Sequence, residues 1–224
     1  MTVINNQKIE HLKTDKTKVK RAPKRGHYDT KTIYKILDND FICQIGFVYN
    51  GYPVVIPTIY GRKNDYLYFH GASVSRLLVT MEEGVQISLN VTQTDGIVLA
   101  RSAFHHSLNY HSVTVFGHAE LITDEKERLD ALKVVSDQII PMRWEEARLP
   151  NKKELKATKI LKLKITEASA KIRTGPPKDE KDDYNLEIWA GVIPIEKKYG
   201  KPIADPDLKP GIPIANSAIK LIRD

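Results

Sequence analysis

Apolar and polar positions change their spacing several times along the chain, and each change marks a predicted element. Ile33, Ile36 and Leu37 recur at helical spacing behind Asp29, which predicts a short capped helix. Phe41–Val48 and Val54–Tyr60 then read as strands. Asn50-Gly51 between them suits a tight hairpin, because both turn positions need φ > 0. Pro57 assigns the second strand to an edge, a bulge or a place where backbone faces a ligand. Gly61–Asp65 reads as another turn, followed by a strand over Tyr66–His70. A break at Gly71 precedes a helix capped by Ser73 or a neighbour, with Val74, Leu77, Leu78 and Met81 on one face and Gly84 ending it. Val85, Ile87, Leu89 and Val91 alternate with Gln86, Ser88, Asn90 and Thr92, as a half-buried strand does. Val113–Ile122 is a further strand. Asp124 with Glu127 is a cap signature for a second amphipathic helix carrying Leu129, Leu132, Val135 and Ile139. Ile160–Ile172 reads as the last long strand.

Together these elements predict a mainly β fold, a small antiparallel β-barrel of about six strands with inserted helices, and not a βαβ sheet. Three segments follow: a basic N-terminal arm (1–26), one domain (27–196), and an extended, proline-containing C-terminal tail (197–224) that wraps the body or a neighbouring subunit. Charge refines this division. Of the net +7, six surplus charges fall in the first 26 residues, where eight lysines and arginines face two acids. The body is nearly neutral, so the arm reads as a solvated or loosely docked extension and nucleic acid is an unlikely partner. No apolar run reaches membrane-spanning length and the N-terminus lacks the apolar core of a secretory signal, so no membrane partner is expected. The single cysteine, Cys43, lies in an apolar strand and reads as a core residue, with a reducing cytoplasm as the expected location.

Two clusters could carry chemistry. Asp95–Ser112 holds Arg101, Ser102, His105, His106, Asn109, Tyr110 and His111 and reads as a long polar loop, either packed by its own hydrogen bonds or lining a ligand. Its adjacent histidines cannot both face one ion without unusual backbone and have no cysteine partner, so no metal is expected. The second cluster, His70-Gly71-Ala72-Ser73-Val74-Ser75-Arg76, passes from a strand end to a helix start with hydroxyls and a guanidinium, an arrangement that suits a phosphate. It lacks Walker spacing, and no nucleophile elbow occurs elsewhere. Trp189 follows the charged stretch Lys178–Asp183, which reads as mobile. The indole either anchors its own segment or stacks on a flat ligand.

The ordered motifs carry a resemblance. Tyr66-Leu67-Tyr68-Phe69-His70-Gly71-Ala72 with Ser75-Arg76 comes first, then Asp95-Gly96 through Arg101-Ser102, Asn109-Tyr110-His111-Ser112-Val113, Phe116-Gly117-His118-Ala119, Lys171 through Pro177, and Trp189-Ala190-Gly191. Over roughly residues 20–196 the chain resembles the pyridoxamine 5′-phosphate oxidase-related flavoproteins, in particular the branch with nitroimidazole-resistance (Nim-type) proteins. The resemblance implies an FMN-binding split β-barrel, a homodimer with FMN at the interface. It implies that Val55, Ile56, Pro57 and Thr58 line the flavin largely through backbone, that Phe69, His70 and Gly71 border it, and that Ser75 and Arg76 hold its phosphate. Ser112 falls where the oxidases place a glutamine, and Trp189 at a tryptophan that reaches the flavin from the other subunit.

The chain also departs from the oxidases. Leu77 replaces the lysine of their Ser-Arg-Lys triplet, Ile59 replaces a flavin-facing lysine, His111 takes a position that is usually arginine, and the late Arg-Leu-His-Asp motif is absent. The expectation is therefore an FMN-dependent oxidoreductase for an unidentified small molecule, not a true pyridoxamine phosphate oxidase, with His70, His105 and Tyr110 as candidate proton donors. The alternative is a non-catalytic flavin-binding or storage protein.

Overall fold

A computed structural model of the chain describes residues 11–222. The first ten residues of the basic arm, Lys8 among them, and the tail's last two lie outside the described residues. The strands are β1 (Gly26–His27), β2 (Ile42–Tyr49), β3 (Tyr52–Ile59), β4 (Gly61–Lys63), β5 (Tyr66–Ala72), β6 (Ile87–Leu99), β7 (Ser107–Gly117), β8 (Ala119–Leu121), β9 (Thr158–Lys164), β10 (Glu167–Arg173) and β11 (Gly191–Pro194). The helices are α1 (Thr30–Asp38), α2 (Arg76–Glu82), α3 (Glu125–Ile139), α4 (Arg143–Glu146), α5 (Lys152–Ala157) and α6 (Asn216–Leu221). The fold is mainly β, with two antiparallel sheets. The larger runs β1-β10-β7-β6-β2-β3, and β11 shares the second edge of the long β6; the smaller runs β4-β5-β9-β8. No helix among the described residues is long and apolar enough to cross a membrane.

Local chemistry explains the elements that matter to the site. Asp29 accepts the Thr32 N–H at 3.0 Å and caps α1. Asn50 and Gly51 both have positive φ, 49° and 82°, so the β2–β3 hairpin closes on a two-residue turn. β3 is then the outermost strand of its sheet, where Pro57 is tolerated. The chain changes sheets at Tyr60, and the Tyr60 hydroxyl donates to Leu37 O at 2.5 Å, locking this corner to α1. The core lies between the sheets. Ile45, Leu89, Val91, Val113 and Val115 face Leu67, Phe69, Leu161 and Leu163, with Leu37 of α1 and Leu78 of α2 closing it. Cys43 belongs to this core, and burial pushes its thiol pKa up.

Several sequence expectations need correction. Ile160–Ile172 is two strands, β9 and β10, in different sheets. The buried positions slip from Leu161, Leu163 and Ile165 to Ala168 and Ala170, a one-residue change of phase that period-2 alternation cannot survive. The polar segment Asp95–Ser112 is mostly ladder: β6 continues to Leu99, β7 starts at Ser107, and only the tip is irregular. The cap position before α2 is Ser75 and not Ser73, and its hydroxyl makes no cap bond. Helices α4, α5 and α6 have no counterpart in the elements the sequence predicts. Residue Leu12 is fully buried and its carbonyl accepts the Ala168 N–H at 3.0 Å, so the described part of the arm lies against β10.

Candidate functional site

Three elements meet at one open cleft of about 600 Å³: the edge strand β3 through Ile56, Pro57 and Thr58, the end of β5 through His70 and Gly71, and the start of α2 through Ser75 and Arg76, with Leu77 and Leu78 as apolar wall. Gly71 allows the close approach of α2, since a Cβ there would lie 3.0 Å from Leu78 Cδ1. The Arg76 guanidinium lies 5.6 Å from the Tyr49 ring centroid and pairs with no carboxylate among the described residues. A cation with no counter-charge, beside an uncommitted serine hydroxyl, is an anion-binding arrangement. Because α2 has only seven residues, the charge of this site comes chiefly from the side chain and not from a macrodipole.

His70 carries a second signature. Its Nδ1 is buried without a hydrogen-bond partner, and burial lowers its pKa, so the ring stays neutral at and somewhat below ordinary histidine pH. Such a group can accept a proton or ligate a metal. No cluster of three or more metal-ligating side chains occurs among the described residues.

The other predicted site residues lie elsewhere. Phe69 is wholly buried and its ring faces the core, so only its backbone borders the cleft. Val55, 67% exposed, lies outside that cleft and lines an apolar groove with Val48 and Val54. The Ser112 hydroxyl donates to Lys171 O at 3.4 Å on the face covered by residues 16–21. His105 lies 3.6 Å from Glu180, and Tyr110 sits opposite Arg173 in the β7–β10 register. Trp189, 66% exposed, lies against Gly191, where a Cβ would come within 2.9 Å of the indole. Within one protomer, none of Ser112, His105, Tyr110 or Trp189 lines the Arg76 cleft.

Sequence reasoning missed the clamp at the β6–β7 tip. The Asp179 carboxylate is fully buried, accepts the backbone N–H groups of Arg101 and Ser102 at 2.9 and 3.2 Å, and pairs with the Arg101 guanidinium at 3.2 Å. Burial opposes its ionisation, but these partners together outweigh it and hold the carboxyl below its usual range. Nearby, Arg173 donates to Asn109 and the Asn109 amide donates to Gly175 O. Asp179 lies within the stretch read as mobile. No local signal marks it, because its partners are 77 and 78 residues away in sequence.

The chain resembles the flavocytochrome Anf3 from Azotobacter vinelandii at 41% identity, over 93% of this chain and 97% of that one, with a TM-score of 0.88. It resembles a FAD and heme binding protein from Mycobacterium smegmatis at 35% identity, over 88% and 97% of the two chains, with a TM-score of 0.85. A candidate 5-nitroimidazole antibiotic resistance protein from Bacteroides thetaiotaomicron shares the fold at 19% identity, over 66% and 86% of the two chains, with a TM-score of 0.55. No curated protein matches the chain. The family model for pyridoxamine 5′-phosphate oxidase matches residues 29–172, which span β2 to β10 and the whole Arg76 cleft, and the chain belongs to that family.

Proposed function

We propose that the chain is a flavin-binding redox protein. The observation that carries this reading is the cleft in which Ile56, Pro57, Thr58, His70, Gly71 and Ser75 surround the unpaired Arg76. Arg76 and Ser75 hold a flavin phosphate, and the β3 backbone from Ile56 to Thr58 runs along the ring. The fold is read as an FMN-binding split β-barrel that works as a cytoplasmic homodimer. The partner's copies of Ser112 and Trp189 would complete the site, which explains why both stand away from the cleft in a single protomer. Bound flavin supplies hydride or electron transfer; the protein supplies position and proton control. His70 is the proton-handling group of the cleft, because it is neutral and its Nδ1 has no protein partner. The substrate or electron partner is a small molecule. Leu77 in place of the triplet's lysine, a second phosphate-binding cation, argues against pyridoxamine phosphate oxidation.

FMN is the smallest ligand that fits this description. The relatives at 41% and 35% identity, a flavocytochrome and a FAD and heme binding protein, favour FAD with heme. Heme, if bound, would be held by one or two side chains such as histidine and would supply one-electron chemistry. His70, whose buried Nδ1 lacks a partner, would be one residue able to hold that iron, and it would then no longer handle protons.

Cofactor release followed by mass spectrometry, together with an absorption spectrum of freshly purified protein, tests the proposal. Flavin bands with FAD or FMN in the released fraction support it, and a Soret band adds heme. Colourless protein that takes up neither flavin on titration overturns it. Bleaching of bound flavin by a reduced nicotinamide or reduced ferredoxin separates a redox protein from a storage protein.

A further inference from the structure

A second cleft, of about 610 Å³, lies between α1 and the β6–β7 pair and shares no lining residue with the Arg76 cleft. The ladder slips between Thr94 and Gly96, so Asp95 is the extra residue of a β-bulge. Asp95 Oδ2 stands 2.6 Å from His111 Nδ1. A carboxylate only accepts hydrogen bonds, so Nδ1 carries the proton and the ring tautomer is fixed. Nε2 then offers a lone pair, and it has no hydrogen-bond partner among the described residues. His111 points away from Ser112, as neighbours on a strand do, and therefore away from the face on which Ser112 lies.

The opposite wall presents two lysines beside the capping carboxylate of Asp29. Lys31 and Lys35 sit one helical turn apart on α1, both at this cleft and both exposed, and neither meets a carboxylate among the described residues. Thr32 and Asn39 also line the cleft, and two further polar groups hold its walls together. The Gln93 amide donates to Ile36 O at 2.9 Å, and Asp29 caps α1. The cleft thus has a cationic pole and, facing it, an oriented acceptor.

We propose that this cleft binds a small organic anion that carries a hydroxyl group, of the hydroxycarboxylate or sugar-phosphate class. The anionic end pairs with Lys31 and Lys35, and the hydroxyl donates to His111 Nε2. An anion without a hydroxyl leaves the imidazole acceptor unanswered and binds more weakly.

Isothermal titration of the full-length protein with (S)-malate, glycerol 3-phosphate and succinate tests this. Malate and glycerol 3-phosphate should bind, and succinate about tenfold more weakly than malate, the ratio that one hydrogen bond accounts for. Lys31→Ala with Lys35→Ala should abolish binding of all three. His111→Ala should bring malate down to the level of succinate and leave succinate unchanged. The lysines are exposed helix positions, so their double variant keeps the fold, and its flavin absorbance should match wild type. The proposal is overturned if no probe binds wild type, if succinate equals malate, or if the lysine variant binds as well as wild type. A parallel loss of flavin in that variant also overturns it, because the cleft would then belong to the flavin site.

Discussion

The Arg76 cleft and the β6–β7 hairpin face handle their functional residues in opposite ways. The cleft gathers its residues within one protomer, from a short stretch of chain: β3, β5 and α2 follow one another in sequence. The hairpin region leaves Ser112 and Tyr110 half-buried and Trp189 exposed, each outside that cleft, and its buried polar groups pair through Asp179–Arg101 and Arg173–Asn109. The difference shows that one protomer can build an anion grip by local folding alone. In the proposed function a second surface covers the ring, and Val55, Trp189 and Ile193 are large apolar side chains left exposed for it.

The strongest way to break this comparison is a charge on the exposed face of β3. Val55→Asp should abolish dimerisation in sedimentation experiments, because burying an unpaired carboxylate at an interface costs several kcal/mol. It should also strip flavin while leaving the far-UV spectrum intact. A variant that stays dimeric and yellow would show that this face is not the interface.

Asp179→Asn comes next and probes the hairpin side alone. The folded-state pKa of Asp179 is depressed, so its contribution to stability is complete above the unfolded carboxyl value, about 4, and is lost as pH falls through the folded value. Urea midpoints of wild type and Asp179→Asn should therefore differ at pH 6 and converge towards pH 3. A constant gap would mean that the charge of Asp179 plays no part.

Trp189→Ala should lower flavin affinity by about 1 kcal/mol, the scale of one aromatic contact. Protomer stability should hardly change, since most of the indole is exposed. An effect of similar size belongs to neither region: Asp29→Ala removes the α1 cap and should lower stability by about 1 kcal/mol in urea titration without touching flavin content.

What could be read from sequence follows the same divide. The α1 cap, the Asn50-Gly51 hairpin, the Gly84 stop and the Ser75-Arg76 cluster are local signals whose physics acts over four or five residues. All of these features are present, with Ser75 displacing Ser73 at the cap. The β9–β10 break could not be read as two strands in two sheets, because alternation reports a face and not which sheet supplies it. The Asp95–Ser112 segment looked like a loop because its polar side chains find partners across the fold: His111 with Asp95, Asn109 with Arg173. Asp179 depends on contacts 77 and 78 residues away, and composition carries no trace of those.

The grip on phosphate by Arg76 is tested most directly by titrating apo-protein with FMN and with riboflavin, which lacks the phosphate, in wild type and Arg76→Ala. FMN affinity should fall by about 1.5–3 kcal/mol in the variant, the range for a hydrogen bond to a charged group, while riboflavin affinity stays the same. Equal losses for both ligands, or no loss for FMN, would contradict the assignment of Arg76 to the phosphate.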